Sequence, residues 1–189
     1  MANRTDKVER WSSFKVWLFS LGNRNPESNP ALVDYAGLGS NDRFLDVGCG
    51  LGTALEHAAR TGAEIAGVDP SPAMVERASK RVPQAEVKVG SAETIPFPDG
   101  HFTVVGNIKS YHHWANPDAG LAEILRVLVP GGRLLIAEKR LKRNRGHGLH
   151  PEQADELART LLGLGYATST VDSLSLVRNE FLVVSGVAS

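Results

Sequence analysis

The run Leu45-Asp46-Val47-Gly48-Cys49-Gly50-Leu51-Gly52, followed by Gly67-Val68-Asp69-Pro70-Ser71, carries the residue types that can hold a nucleoside. Glycines at 48, 50 and 52 let the backbone approach a ligand closely, and a helix starting near Leu51 points its N-terminal amides at it. Asp69 ends the second apolar run, where a carboxylate can accept both hydroxyls of a ribose. Without a ligand the same glycines read as a tight strand-to-helix turn and Asp69 as a helix N-cap beside Pro70. A second reactive group is Tyr111-His112-His113-Trp114, since a histidine titrates near neutral pH and can serve as a base, pack or cap. Lys139-Arg140-Leu141-Lys142-Arg143-Asn144-Arg145 could attract a phosphate or carboxylate, or be a solvated loop. Cys49 has no base beside it in sequence and reads as a small buried side chain. His57, His101, His147 and His150 lack ligand-like spacing with acidic or cysteine partners, so no metal is expected.

The elements that must position these residues follow from periodicity. Strand-like runs occur at about 43–47, 64–68, 85–89, 102–106 and 133–138, separated by helical stretches at about 52–60, 71–82 and 117–128. Such a βαβ series builds a mostly parallel sheet with helices on both faces, and ligands bind at the carboxyl edge of its strands. A helix of about 151–164 precedes two β-rich runs, Tyr166 to Val177 and Phe181 to Val187, joined by Arg178-Asn179-Glu180. So short a connection permits only an antiparallel pair, which places one antiparallel strand in the sheet. Ahead of the series, Trp11, Phe14, Leu18 and Leu21 share one stripe of an N-terminal helix, and a second short helix runs from about Asn29 to Gly37.

Composition bounds the class. The 189 residues suit one domain, with 1–28 as a helical lid segment and 29–189 as the core. Lys plus Arg number 21 and Asp plus Glu 21, so no net field attracts nucleic acid or an anionic membrane. A single cysteine excludes an internal disulfide and suits a reducing compartment. No apolar run nears the roughly 18–20 residues that cross a bilayer. A cytoplasmic protein without integral membrane contact is expected.

Four segments, LDVGCGLG at 45–52, GVDPSPAMVERA at 67–78, GSAETIPFPDGHFTVV at 90–105 and LVPGGRLLIAE at 128–138, resemble successive motifs of class I S-adenosylmethionine-dependent methyltransferases. They are most similar to the type 11 group that includes quinone-biosynthesis C-methyltransferases, and the resemblance covers about residues 29 to 138. It implies a Rossmann-like, doubly wound α/β fold whose seven-stranded, mostly parallel sheet ends in an antiparallel hairpin. It also implies S-adenosyl-L-methionine as cofactor, released as S-adenosyl-L-homocysteine. By position the resemblance sets Asp46 near the methionine amino group and the backbone of Gly48 and Gly50 against the methionine moiety. Asp69 then holds the ribose, Pro70 and Met74 border the adenine, Ser91, Ala92 and Glu93 lie at its edge, and Asn107 faces the methionine end. Ser91 stands where the family often has Asp, so that contact loses charge assistance.

Methyl transfer from a sulfonium is an in-line displacement, which positioning can accelerate by roughly 7–11 kcal/mol, so no catalytic triad is required. Should the acceptor have to lose a proton, His112 or His113 is the candidate general base. Relatives often cover the acceptor with an insertion near 139–145 that this chain lacks, which leaves the N-terminal helix as the candidate lid. A small-molecule acceptor is expected rather than nucleic acid, because Asn107-Ile108-Lys109-Ser110 lacks the Pro-Pro-aromatic of base-amino methylating enzymes and no Pro-Cys nucleophile is present. Two alternatives stay open: a nicotinamide-dependent oxidoreductase, disfavoured by the even glycine spacing, and a non-catalytic module that keeps the fold. The sequence leaves the oligomeric state open.

Overall fold

The computed structural model describes residues 28–142, 146–176 and 179–189. The expected N-terminal lid helix lies outside these residues, as do the last three residues of the basic segment, 143–145. The elements are α1 (Ser28–Ala36), β1 (Arg43–Val47), α2 (Thr53–Ala58), β2 (Glu64–Asp69), α3 (Pro72–Arg81), β3 (Glu86–Val89), β4 (Phe102–Ile108), α4 (Pro117–Val127), β5 (Leu128–Lys139), α5 (Pro151–Gly163), β6 (Tyr166–Ser175) and β7 (Glu180–Ala188). One-turn 3₁₀ helices follow α2 at Ala59–Thr61 and β4 at Tyr111–His113.

The strands form one seven-stranded sheet in the order β3-β2-β1-β4-β5-β7-β6. Neighbours from β3 through β5 run parallel, and β7 is antiparallel to both β5 and β6. The order reverses between β1 and β4, which opens a crevice at their carboxyl ends. β1, β2 and β4 are nearly continuous apolar runs because both faces of the sheet are covered. Phe44, Ile65 and Val104 pack with Val33, Leu55, Ala58, Ala78 and Val82 from α1, α2, α3 and the end of α3. On the opposite face Leu45, Val105, Leu134 and Ile136 pack with Leu121, Ile124, Leu157 and Leu161 from α4 and α5.

Local chemistry sets the helix starts. Pro72, Pro117 and Pro151 each open a helix, where the missing amide hydrogen costs no bond. The Asn116 side chain caps α4 by accepting from the Ala119 amide at 3.2 Å. Before α5 the His150 backbone amide donates to the Gln153 side chain at 2.9 Å, completing a reciprocal cap. Arg126 of α4 donates to the carbonyls of Ile95 and Phe97 and to both Glu123 oxygens, which fixes the segment between β3 and β4.

Two boundaries differ from the sequence expectation. The helix expected over about 52–60 is an α-helix only to Ala58 and then tightens into the 3₁₀ turn. β5 begins at Leu128, directly after α4, instead of near 133. Leu128 pairs with Phe102, the next pair is Arg133 with Val104, and the Pro130-Gly131-Gly132 stretch bulges out between them.

Candidate active site

The β1–α2 loop takes its shape from three glycines with left-handed backbone, Gly48 (φ 79°), Gly50 (φ 52°) and Gly52 (φ 73°). The Gly48 and Cys49 amides both donate to the Val68 carbonyl, at 2.8 and 3.0 Å, so the loop folds over the end of β2. The Gly50 amide then donates to Asp69 Oδ2 at 2.9 Å, and the Ser71 amide to Asp69 Oδ1 at 2.9 Å. Asp69 is thereby fixed across the loop mouth. A Cβ on Gly48 would run into Ser110, and one on Gly52 would crowd Ala78 of α3, whereas at Gly50 it would meet nothing within 4 Å. The backbone at Gly50 therefore faces open space.

Asp46 lies next to the end of β1 and is 3% exposed. Burial and the neighbouring Asp69 carboxylate push its pKa up to about 7, with Lys109 pulling the other way. Asn107, near the end of β4, is fully buried and donates from Nδ2 to the Val47 carbonyl at 2.8 Å and to Ser110. Among the described residues the enclosed side-chain atoms without a partner are Asp46 Oδ1, Asn107 Oδ1 and, away from this crevice, His150 Nε2. Two unpaired acceptors thus sit on adjacent strands at the crevice.

The remaining expected residues occupy its rim. Pro70 is half-buried at the end of β2, and Met74 of α3 is buried. Ser91 forms a tight turn with Thr94 through reciprocal backbone bonds. The Ala92 side chain is enclosed in the core facing α4, and the Glu93 carboxylate accepts from the Ala115 and Asn116 amides at 2.9 and 3.0 Å. Of these three, Ala92 and Glu93 thus spend their side chains on the fold. Cys49 is buried, and burial pushes its thiol well above the ordinary range, as suits a packing residue.

His112 is held from behind. Its Nδ1 lies 3.0 and 2.9 Å from the two oxygens of Glu138, a fully buried carboxylate near the end of β5. His113 is exposed beside it, and the β5–α5 loop brings His147 to the same place. Glu138 and Lys109 escaped the sequence reading, which also gave His147 no role. Glu138 carried a signal, an acid inside the apolar run of β5. Lys109 carried none: it adopts a left-handed backbone (φ 59°), donates to Ser28 at 3.0 Å and feels both Asp46 and Glu138. His147 lacked any local partner. Of the basic segment, Arg140 is paired with Glu180 at 2.7 Å.

Residues 45–136 match the model of a methyltransferase domain family. A demethylmenaquinone methyltransferase of Beutenbergia cavernae is 36% identical over 108 residues, 57% of this chain and 45% of that protein. An uncharacterized methyltransferase of Synechocystis is 31% identical over 138 residues, 68% of this chain and 65% of its own length. The chain spans less than half the length of the demethylmenaquinone methyltransferases it matches. Among solved structures, a SAM-dependent methyltransferase from Aquifex aeolicus superposes with a TM-score of 0.75 at 21% identity, covering 94% of this chain and 100% of that one.

Proposed function

We propose, because this chain belongs to the class I S-adenosylmethionine-dependent methyltransferases, that it moves a methyl group from S-adenosylmethionine to a small-molecule acceptor by in-line displacement. The observation that carries this reading is the pair of unpartnered buried oxygens, Asp46 Oδ1 and Asn107 Oδ1, beside the glycine loop. A buried acceptor without a donor is costly, and the ammonium of a methionine moiety would supply one. The other parts fit the same group. Each Asp69 oxygen accepts one backbone bond and keeps a lone pair for a ribose hydroxyl. The open space beside Gly50 leaves room for a ligand against the backbone, and Pro70 and Met74 offer an apolar border for an adenine.

When bound, the cofactor supplies an electrophilic methyl group on a sulfonium. The chain's own work is to hold that methyl in line with the acceptor at the carboxyl edge. His112 and His113 stand at that edge, and the Glu138 carboxylate holds Nδ1 of His112 from behind. Quinone precursors as acceptors of curated relatives favour a small ring compound over a macromolecule. No helix among the described residues is long and apolar enough to cross a membrane.

Calorimetric titration with S-adenosylhomocysteine, with NADH in parallel, tests the reading. Micromolar binding of S-adenosylhomocysteine alone is expected. Binding of NADH alone would overturn the family's chemistry for this chain. Cofactor binding without turnover in a broad acceptor screen would leave a binding module.

A further inference from the structure

His112 and His113 sit on the turn after β4, and His147 sits on the loop after β5, yet the three rings form one cluster. Ring centroids are 4.0 Å apart for His112 and His113, 4.9 Å for His112 and His147, and 5.6 Å for His113 and His147. One nitrogen from each lies within 4.8 Å of the others. We propose that these three imidazoles bind a single divalent transition cation of the zinc class, with Glu138 as the carboxylate that orients His112 from behind.

The geometry is close to what such an ion needs. Zinc–imidazole bonds of about 2.0–2.1 Å in a tetrahedral site place ligand nitrogens roughly 3.3 Å apart. Closure therefore asks for inward movement of about 1.5 Å or less, and His113 and His147, both exposed, can supply it. His112 need not move. Its Nδ1 donates to a buried carboxylate, which fixes the tautomer and leaves Nε2 as the nitrogen for a cation, as a metal-ligating histidine is held by its outer carboxylate.

The loop that delivers His147 is shaped for that position. Gly146 and Gly148 flank it with φ of 125° and 149°, and a Cβ at 148 would collide with the Lys139 carbonyl. The loop base is closed by the Leu149 amide on the Lys139 carbonyl at 3.0 Å and the Leu141 amide on the Leu149 carbonyl at 2.8 Å. Three neutral imidazoles without a carboxylate among the direct ligands favour Zn²⁺ over the oxygen-seeking Mg²⁺ and Ca²⁺. Three protein ligands also leave a fourth position open, at the strand edge where an acceptor would enter. A proton-accepting His112 needs Glu138 but has no use for His147. The third ring is what distinguishes a cation site.

The test is titration of tag-free, metal-stripped protein with Zn²⁺ against a chromophoric chelator, together with thermal unfolding with and without Zn²⁺. One ion per chain at micromolar or tighter affinity is expected, with a Zn²⁺-dependent rise in Tm. His147→Ala should weaken binding at least about 10-fold and abolish most of that rise, and Glu138→Gln should weaken it roughly 10- to 100-fold. His147→Ala changes an exposed loop and carries the test alone if Glu138→Gln fails to fold. No stoichiometric uptake by the wild type, or uptake indifferent to both His147→Ala and His112→Ala, would overturn the proposal. Wild-type binding of S-adenosylhomocysteine is measured on the same samples, so a failure of the cofactor reading shows separately.

Discussion

Asp46 has opposite consequences for folding and for binding. In the unfolded chain the carboxyl ionises near 3.8, and in the folded chain near 7. Between these values the folded protein holds a proton the unfolded chain has lost, so stability falls as pH rises through that window and stays lowered above it. Asp46→Asn is therefore expected to stabilise the ligand-free protein above pH 7 by up to about 4 kcal/mol and to change it little near pH 4, read by urea unfolding at both pH values. A bound ammonium demands the ionised carboxylate. Affinity for S-adenosylhomocysteine should rise with pH up to about 7 in the wild type, and Asp46→Asn should weaken binding and flatten that dependence. Asp69→Ala should weaken the same ligand about 10- to 100-fold, the loss of one or two charged hydrogen bonds. Unchanged affinity in a folded variant would remove Asp69 from the site.

The glycine loop separates shape from occupancy. An alanine at 48 meets both a left-handed backbone and Ser110, whereas at 50 it meets the backbone penalty alone. Gly50→Ala is expected to fold with a loss of about 1–2 kcal/mol and to lose ligand affinity, because its methyl enters the open space. Gly48→Ala should lose more stability, and comparing chemical denaturation with calorimetry for the two variants checks this. Elements of this kind are legible in sequence because their causes are local: an apolar run, a glycine, a carboxylate at a strand end. β5 shows the limit. The strand is expected from about 133, but pairing of Leu128 with Phe102 and of Arg133 with Val104 makes Pro130-Gly131-Gly132 a bulge inside a longer strand. Only the partner strand carries that information. Trp11, Phe14, Leu18 and Leu21 of the expected lid fall outside the described residues.

At the scale of the molecule, the fold class and the cofactor class were legible, and the histidine cluster was not. Asp46, the glycines and Asp69 sit within two consecutive βα units, while His147 joins His112 and His113 only after β5 is laid beside β4. The half-buried placement of Lys109 likewise depends on Ser28, Asp46 and Glu138, which come from three separate elements. The sheet order gives a further expectation. Amides of β1, β4 and β5, paired on both sides and covered by helices, should exchange with solvent most slowly, and those of the edge strands β3 and β6 fastest, as hydrogen exchange followed by mass spectrometry would show. Equal protection across the sheet would contradict that placement.

β7 follows β6 in the chain but lies between β5 and β6 in space. A ribosome delivers β6 before the strand that must separate it from β5. Until β7 emerges, β6 has no neighbour to pair with, and β5 presents an open apolar edge that a nascent chain must shield. The order of synthesis and the order of pairing therefore differ at this corner, and β6 can join the sheet only once β7 has emerged.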